Sequence, residues 1–216
     1  MGKAREAFSL IELIFVILLV GILAFMALPR IERDLRQEAI DNLVSAIRYT
    51  RHLAVMGVKS DAQHTTWQRT LWRFSIEGCS DEGIFYSIGT DLNRKGNISN
   101  QEAAKDPHSH LPMNGINSKP CEHEVQKNVA ADIFLSKHYG ILEKDIDWSD
   151  CRGRVKHIAF DHMGRLYRKM THAKNDYRSY MKQMCSIHFT LPNDSKFTIH
   201  IESETGVVSV EGQPDT

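Results

Sequence analysis

The chain has 216 residues, enough for one modest domain behind an N-terminal segment and too few for two large ones. Its 27 Lys and Arg balance 27 Asp and Glu, so the molecule as a whole is not a polyelectrolyte. No Ser/His/Asp or Cys/His arrangement, phosphate-binding glycine loop or carboxylate pair is identifiable, which argues against an enzyme.

Residues 1–7 read as a short charged leader. Phe8-Ser9-Leu10-Ile11-Glu12 then opens an apolar run that reaches Leu28 and Pro29. At ~20 residues the run is long enough to cross a bilayer as a helix. Its one ionisable group is Glu12, and a carboxylate in such surroundings is expensive unless paired. A cut between Ala7 and Phe8 would create an α-amino group, and that of a neighbouring copy is a candidate partner. Lys3 and Arg5 favour a cytoplasmic N-terminus. The expected arrangement is therefore a single pass with the bulk of the chain on the far side of the membrane. An ordinary signal peptide fits less well, because residues Met26 to Arg33 offer no small-x-small cleavage site.

Residues 30–57 read as an amphipathic continuation of the helix. Ile31, Leu35, Ala39, Leu43, Val44, Ile47, Ala54 and Val55 recur at three-and-four spacing, opposite Arg33, Asp34, Arg36, Glu38, Asp41 and Arg48. Pro29 should kink the helix and Gly57 should end it. Residues 58–216 read as a β-rich domain. Trp72, Phe74 and Ile76 alternate with Arg73, Ser75 and Glu77. Further strands are expected over 84–88, 155–160, 166–168, 185–191, 196–203 and 207–210, with turns between the last three. Residues 132–139 suggest a short helix and 107–120 a long loop. The sum is an α+β fold: one long helix on a mainly antiparallel sheet.

Cys79, Cys121, Cys151 and Cys185 all follow the apolar run and allow three pairings. Cys79–Cys121 and Cys151–Cys185 are favoured, because each closes a neighbouring segment.

Residues 91–102 resemble the twelve-residue calcium loop of EF-hands. Asp91, Asn93, the backbone of Asn97, Ser99 and Glu102 are the expected oxygen ligands for Ca2+, and Gly96 makes the sharp turn. Lys95 departs from the pattern, standing where an acidic or amide ligand is expected. A strand precedes the loop, so no helix–loop–helix is expected. His108, His110, Cys121 and His123 cluster in sequence without a structural-zinc spacing. Residues 152–182 are basic, with Tyr167, Tyr177 and Tyr180 interleaved. A solvated face balanced by acids such as Glu143 is one reading. Phosphate contact with nucleic acid through Arg152, Arg154, Lys156, Arg165, Arg168 and Lys169 is the other.

Lys3-Ala4-Arg5-Glu6-Ala7 followed by Phe8-Ser9-Leu10-Ile11-Glu12-Leu13, with Gly21 and Pro29, resembles the signal of type IV pilins and type II secretion pseudopilins. Ala7 stands where that family usually has Gly. The later stretches Ile158-Ala159-Phe160-Asp161 and Thr205-Gly206-Val207-Val208 are similar to minor H-type pseudopilins and minor pilins. The resemblance implies a pilin-like fold, cleavage before Phe8 by a prepilin peptidase and N-methylation of Phe8. It also implies assembly through residues 8–29 with Glu12 setting register. The implied partners are other pilin or pseudopilin subunits and an inner-membrane assembly platform. The implied location is the bacterial inner membrane, single pass with the N-terminus cytoplasmic and the globular domain periplasmic, then a periplasmic or extracellular filament. The expected function is that of a minor filament subunit; the alternative is a competence-type minor pilin that binds DNA through 152–182.

Overall fold

The computed structural model of the chain describes residues 10–27, 34–57, 64–151, 156–168 and 173–213. Two compact units divide at Leu35/Arg36. The first contains α1, Leu10–Ala27, built almost wholly from Leu, Ile, Val and Phe, with Glu12 in its first turn. Side chains of α1 are described from Leu10 to Leu23. Every large apolar one is exposed, from 78% at Leu10 to 47% at Leu19.

Among the described residues, no helix is long and apolar enough to cross a membrane. This corrects the expectation of a single-pass inner-membrane protein with a membrane-spanning segment 8–29. Helix α1 is 18 residues long and includes Glu12, against the ~20 apolar residues that a span requires. Ala7, Phe8 and Pro29, which carry the expected cleavage and kink, lie outside the described residues.

The second unit is α+β. Its helix α2 spans Leu35–Met56 and buries Ala39, Ile40, Leu43, Val44, Ala46, Ile47, Thr50 and Ala54. Thr50 is tolerated in this face because its hydroxyl donates back to Ala46 O at 2.8 Å. Leu35 and Val55, expected on the apolar face, are 38% and 45% exposed. Helix α2 supplies much of the core and, from Arg36 on, lies in the second unit.

Among the described residues the strands form two sheets instead of one, both antiparallel. The first has the order β2-β1-β4-β5, with β1 Trp72–Gly78, β2 Ile84–Gly89, β4 His157–Phe160 and β5 Leu166–Arg168. The second has the order β3-β6-β7-β8, with β3 Ile146–Asp147, β6 Cys185–Thr190, β7 Lys196–Ile201 and β8 Val208–Val210. A short helix α3, Leu135–Tyr139, precedes β3. Phe74, Ile76, Ile88, Ile158 and Phe160 from the first sheet share one core with Ile187, Phe189, Ile199 and Ile201 from the second and with the buried face of α2. Arginines of α2 tie it to the second sheet and its β7–β8 turn: Arg36 Nε donates to Lys196 O, Arg48 Nη2 to Val208 O and Arg51 Nε to Thr205 O.

Both favoured disulfides are present. Cys79–Cys121 joins the end of β1 to the following loop region, and Cys151–Cys185 joins a 3-10 turn, Ser149–Cys151, to β6.

Candidate functional site

Loop 91–102 follows β2 directly and is closed by backbone pairing: Thr90 N donates to Glu102 O and Ala104 N to Ile88 O. No helix flanks it, as the preceding strand implied. Gly96 sits at φ +104°, a conformation that side-chain-bearing residues rarely adopt. Asp91 is buried, and its Oδ1 accepts from Lys95 N at 3.0 Å and its Oδ2 from Gly96 N at 2.8 Å. Asn93 Oδ1 also accepts from Lys95 N. Glu102 closes the loop: Oε1 accepts from Asn93 N, and Oε2 from Ser99 N and Ser99 Oγ. Burial pushes the Glu102 carboxyl up, but these hydrogen bonds outweigh it and hold its pKa below the ordinary value.

The expected calcium ligands therefore share one loop, but the side-chain oxygens of Asp91, Asn93 and Glu102 already accept the loop's own donors, and the Ser99 hydroxyl is one of those donors. Lys95 and Asn97 are exposed. Two buried guanidinium groups clamp the backbone: Arg69 Nη1 donates to Arg94 O, and Arg73 Nη2 to Gly96 O at 3.1 Å. Asp91 and Glu102 both act electrostatically on Arg73. The donor set is thin for calcium, because the two carboxylates already balance neighbouring cations. Sites with few charged ligands bind weakly, in the millimolar range. At a concentration equal to Kd such a site stabilises by only about 0.4 kcal/mol. Adding millimolar calcium should then move the melting temperature by about 1–2 °C at most. A rise of many degrees, reversed by chelator, would show a strong site instead.

Among the described residues, the one grouping with metal-ligand spacing is Cys79, Asp81 and Cys121. Both sulfurs are spent in the disulfide, so no thiolate is offered. Cys121 is thereby removed from the His108, His110 and His123 group as well.

Arg152, Arg154 and Lys169 of the basic segment lie outside the described residues. Lys156 pairs with Glu143, Arg165 with Asp161 and Arg178 with Asp176. Arg168 is half-buried in β5. The tyrosines pack together rather than standing apart. Tyr167 meets Trp67 edge-on at 6.0 Å and lies 5.6 Å from Tyr180. Tyr177 leans on Trp67 at 5.4 Å, and the Arg165 guanidinium lies over the Tyr180 ring. Tyr177 alone of the three is largely exposed.

Sequence reasoning missed Arg69, Arg73, Ser75 and His157. Register brings three of them together on the first sheet: Ser75 opposes both Ser87 and His157, and Arg73 opposes Ala159. The available signal was the polar alternation of β1, which reads as a solvated face. Arg73 and Ser75 are instead buried.

Compared with known families, with curated proteins and with solved structures, the chain has no match.

Proposed function

We propose that this chain is a subunit of a pilin-class filament, with a pilin-like fold, that assembles through α1. The observation that carries this reading is a helix apolar around its circumference whose large described side chains are all exposed. A helix of that kind is stable only when something covers it, and a contiguous apolar surface of this extent marks an interaction site. The cover proposed is the same helix of neighbouring copies. Support also comes from the order of elements, an apolar N-terminal helix ahead of antiparallel sheets, and from the processing signal around Phe8. Subunit and processing peptidase are the partners this reading requires. The pairing of Lys156, Arg165 and Arg178 with acids gives the nucleic-acid alternative no comparable support.

In the filament, Glu12 sets register: a single polar group in an apolar helix interface selects one alignment over others. Glu12→Ala should leave the globular unit's melting curve unchanged and reduce incorporation into filaments, scored by sedimentation and electron microscopy. Normal incorporation of that variant would remove the register argument.

A further inference from the structure

The polar face of β1 opens on a cleft of about 570 Å³. Arg69, Arg73, Ser75, Glu77, Lys156 and His157 line it, with loop 91–102 on one side. Arg73 is the unusual member. It is 9% exposed, so its charge is largely removed from water. A guanidinium carries five N–H donors, and among the described residues Arg73 makes one hydrogen bond, to Gly96 O. Its Nε is buried with no partner. Buried charged donors left unmet are costly, and native structures meet nearly all of them.

The neighbouring acids do not fill the gap. Glu77 Oε1 takes the hydroxyls of Ser75 and Ser87, and its Oε2 takes Asn117 Nδ2. Asp91 and Glu102 are engaged by loop donors, as above. Lys156 is held by Glu143. Burial, then Arg73, pushes His157 down to about 4, so its ring is neutral at pH 7. The charges facing Arg73 are Glu77, Asp91 and Glu102 against Arg69. Any anion here is held by directed donors rather than by net positive charge.

We propose that the cleft binds an oxyanion group, a carboxylate or a phosphate, on the unmet N–H donors of Arg73 with Arg69 beside it. The planar fork of arginine matches the spacing of two oxygens in either group, which a spherical anion cannot satisfy. The residues that line the cleft all belong to the second unit, so the test of this site and the test of filament assembly use different residues.

The test uses the full chain kept dispersed in mild detergent. Sodium acetate and inorganic phosphate are titrated against sodium chloride at equal ionic strength. Calorimetry reads binding, and NMR reads the Arg73 side-chain Nε–H resonance. The expected result is saturable binding at one site, a moved Arg73 resonance and no response to chloride. Response to acetate alone identifies a carboxylate ligand, and response to phosphate alone a phosphate ligand. Arg73→Lys keeps the charge but loses the fork, and should weaken binding at least tenfold. Arg69→Lys should weaken it less, and serves if Arg73→Lys fails to fold. Absence of saturable heat with an unmoved Arg73 resonance overturns the proposal, leaving ordered water as the partner of Arg73. Equal response to chloride overturns it too.

Discussion

Reduction of both disulfides should unfold the globular unit near physiological temperature. Cys79–Cys121 closes 42 residues and Cys151–Cys185 closes 34. Chain-entropy arguments assign about 4 kcal/mol to each loop of that size. Two such terms approach the 5–15 kcal/mol that holds an ordinary domain together, as an order of magnitude. The placement strengthens the expectation. Cys185 is fully buried at the start of β6, and Cys121 and Cys151 are nearly so, so reduction also forces bonded sulfurs apart to non-bonded distance inside a packed core. One bridge removed by paired Cys→Ser substitution should lower the melting temperature by roughly 10 °C, at about 2–4 °C per kcal/mol for a unit of this size. Thermal unfolding followed by circular dichroism, with and without reductant, makes the measurement. A melt indifferent to reductant would mean that the two bridges restrain nothing that the hydrophobic core does not already hold.

The second large effect concerns α1. Leu18, 57% exposed in the isolated chain, becomes buried between helices if the proposed assembly is right. Leu18→Asp would then place an unpaired carboxylate in an apolar interface, at a cost of several kcal/mol. Each 1.4 kcal/mol is a factor of ten in association, so incorporation should fall at least a hundredfold. Leu18→Ala removes packing without adding charge and should cause a much smaller loss. Sedimentation of filaments assembled from each variant separates the cases. Equal incorporation of Leu18→Asp and the parent chain would show that α1 is covered by something other than its own copies. Because Leu18 lies outside the globular unit, the melting curve of that unit should be the same in all three proteins.

Most of the secondary structure was legible because each element carries its own period. Trp72, Phe74 and Ile76 alternate, and β1 runs Trp72–Gly78. Leu43, Val44 and Ile47 fall on one helical face, and all three are buried in α2. β3 was not legible. Ile146–Asp147 is two residues long, too short for a period, and exists because β6 offers it a partner. Thr50 is polar by type, so periodicity alone does not place it on the apolar face. Its bond to Ala46 O, which only a formed helix provides, lets it be buried.

The candidate sites divide in the same way. Loop 91–102 was recognisable from residue spacing, since Gly96 and the flanking oxygens are local features. That its carboxylates answer to Arg69 and Arg73 was invisible, because those arginines lie on another stretch of chain and reach the loop only after β1 pairs with β2.

Sequence alone determined the apolar character of α1, the buried stripe of α2, most of the strands and the oxygen-rich loop. These follow from propensity and period, which act over a few residues. Tertiary structure alone decided that the described strands form two sheets and that the polar face of β1 looks onto a cleft instead of open solvent. Those outcomes depend on which distant segments close over a face once the chain has collapsed. A strand's alternation states that two faces differ; what covers each face is set by partners remote in sequence.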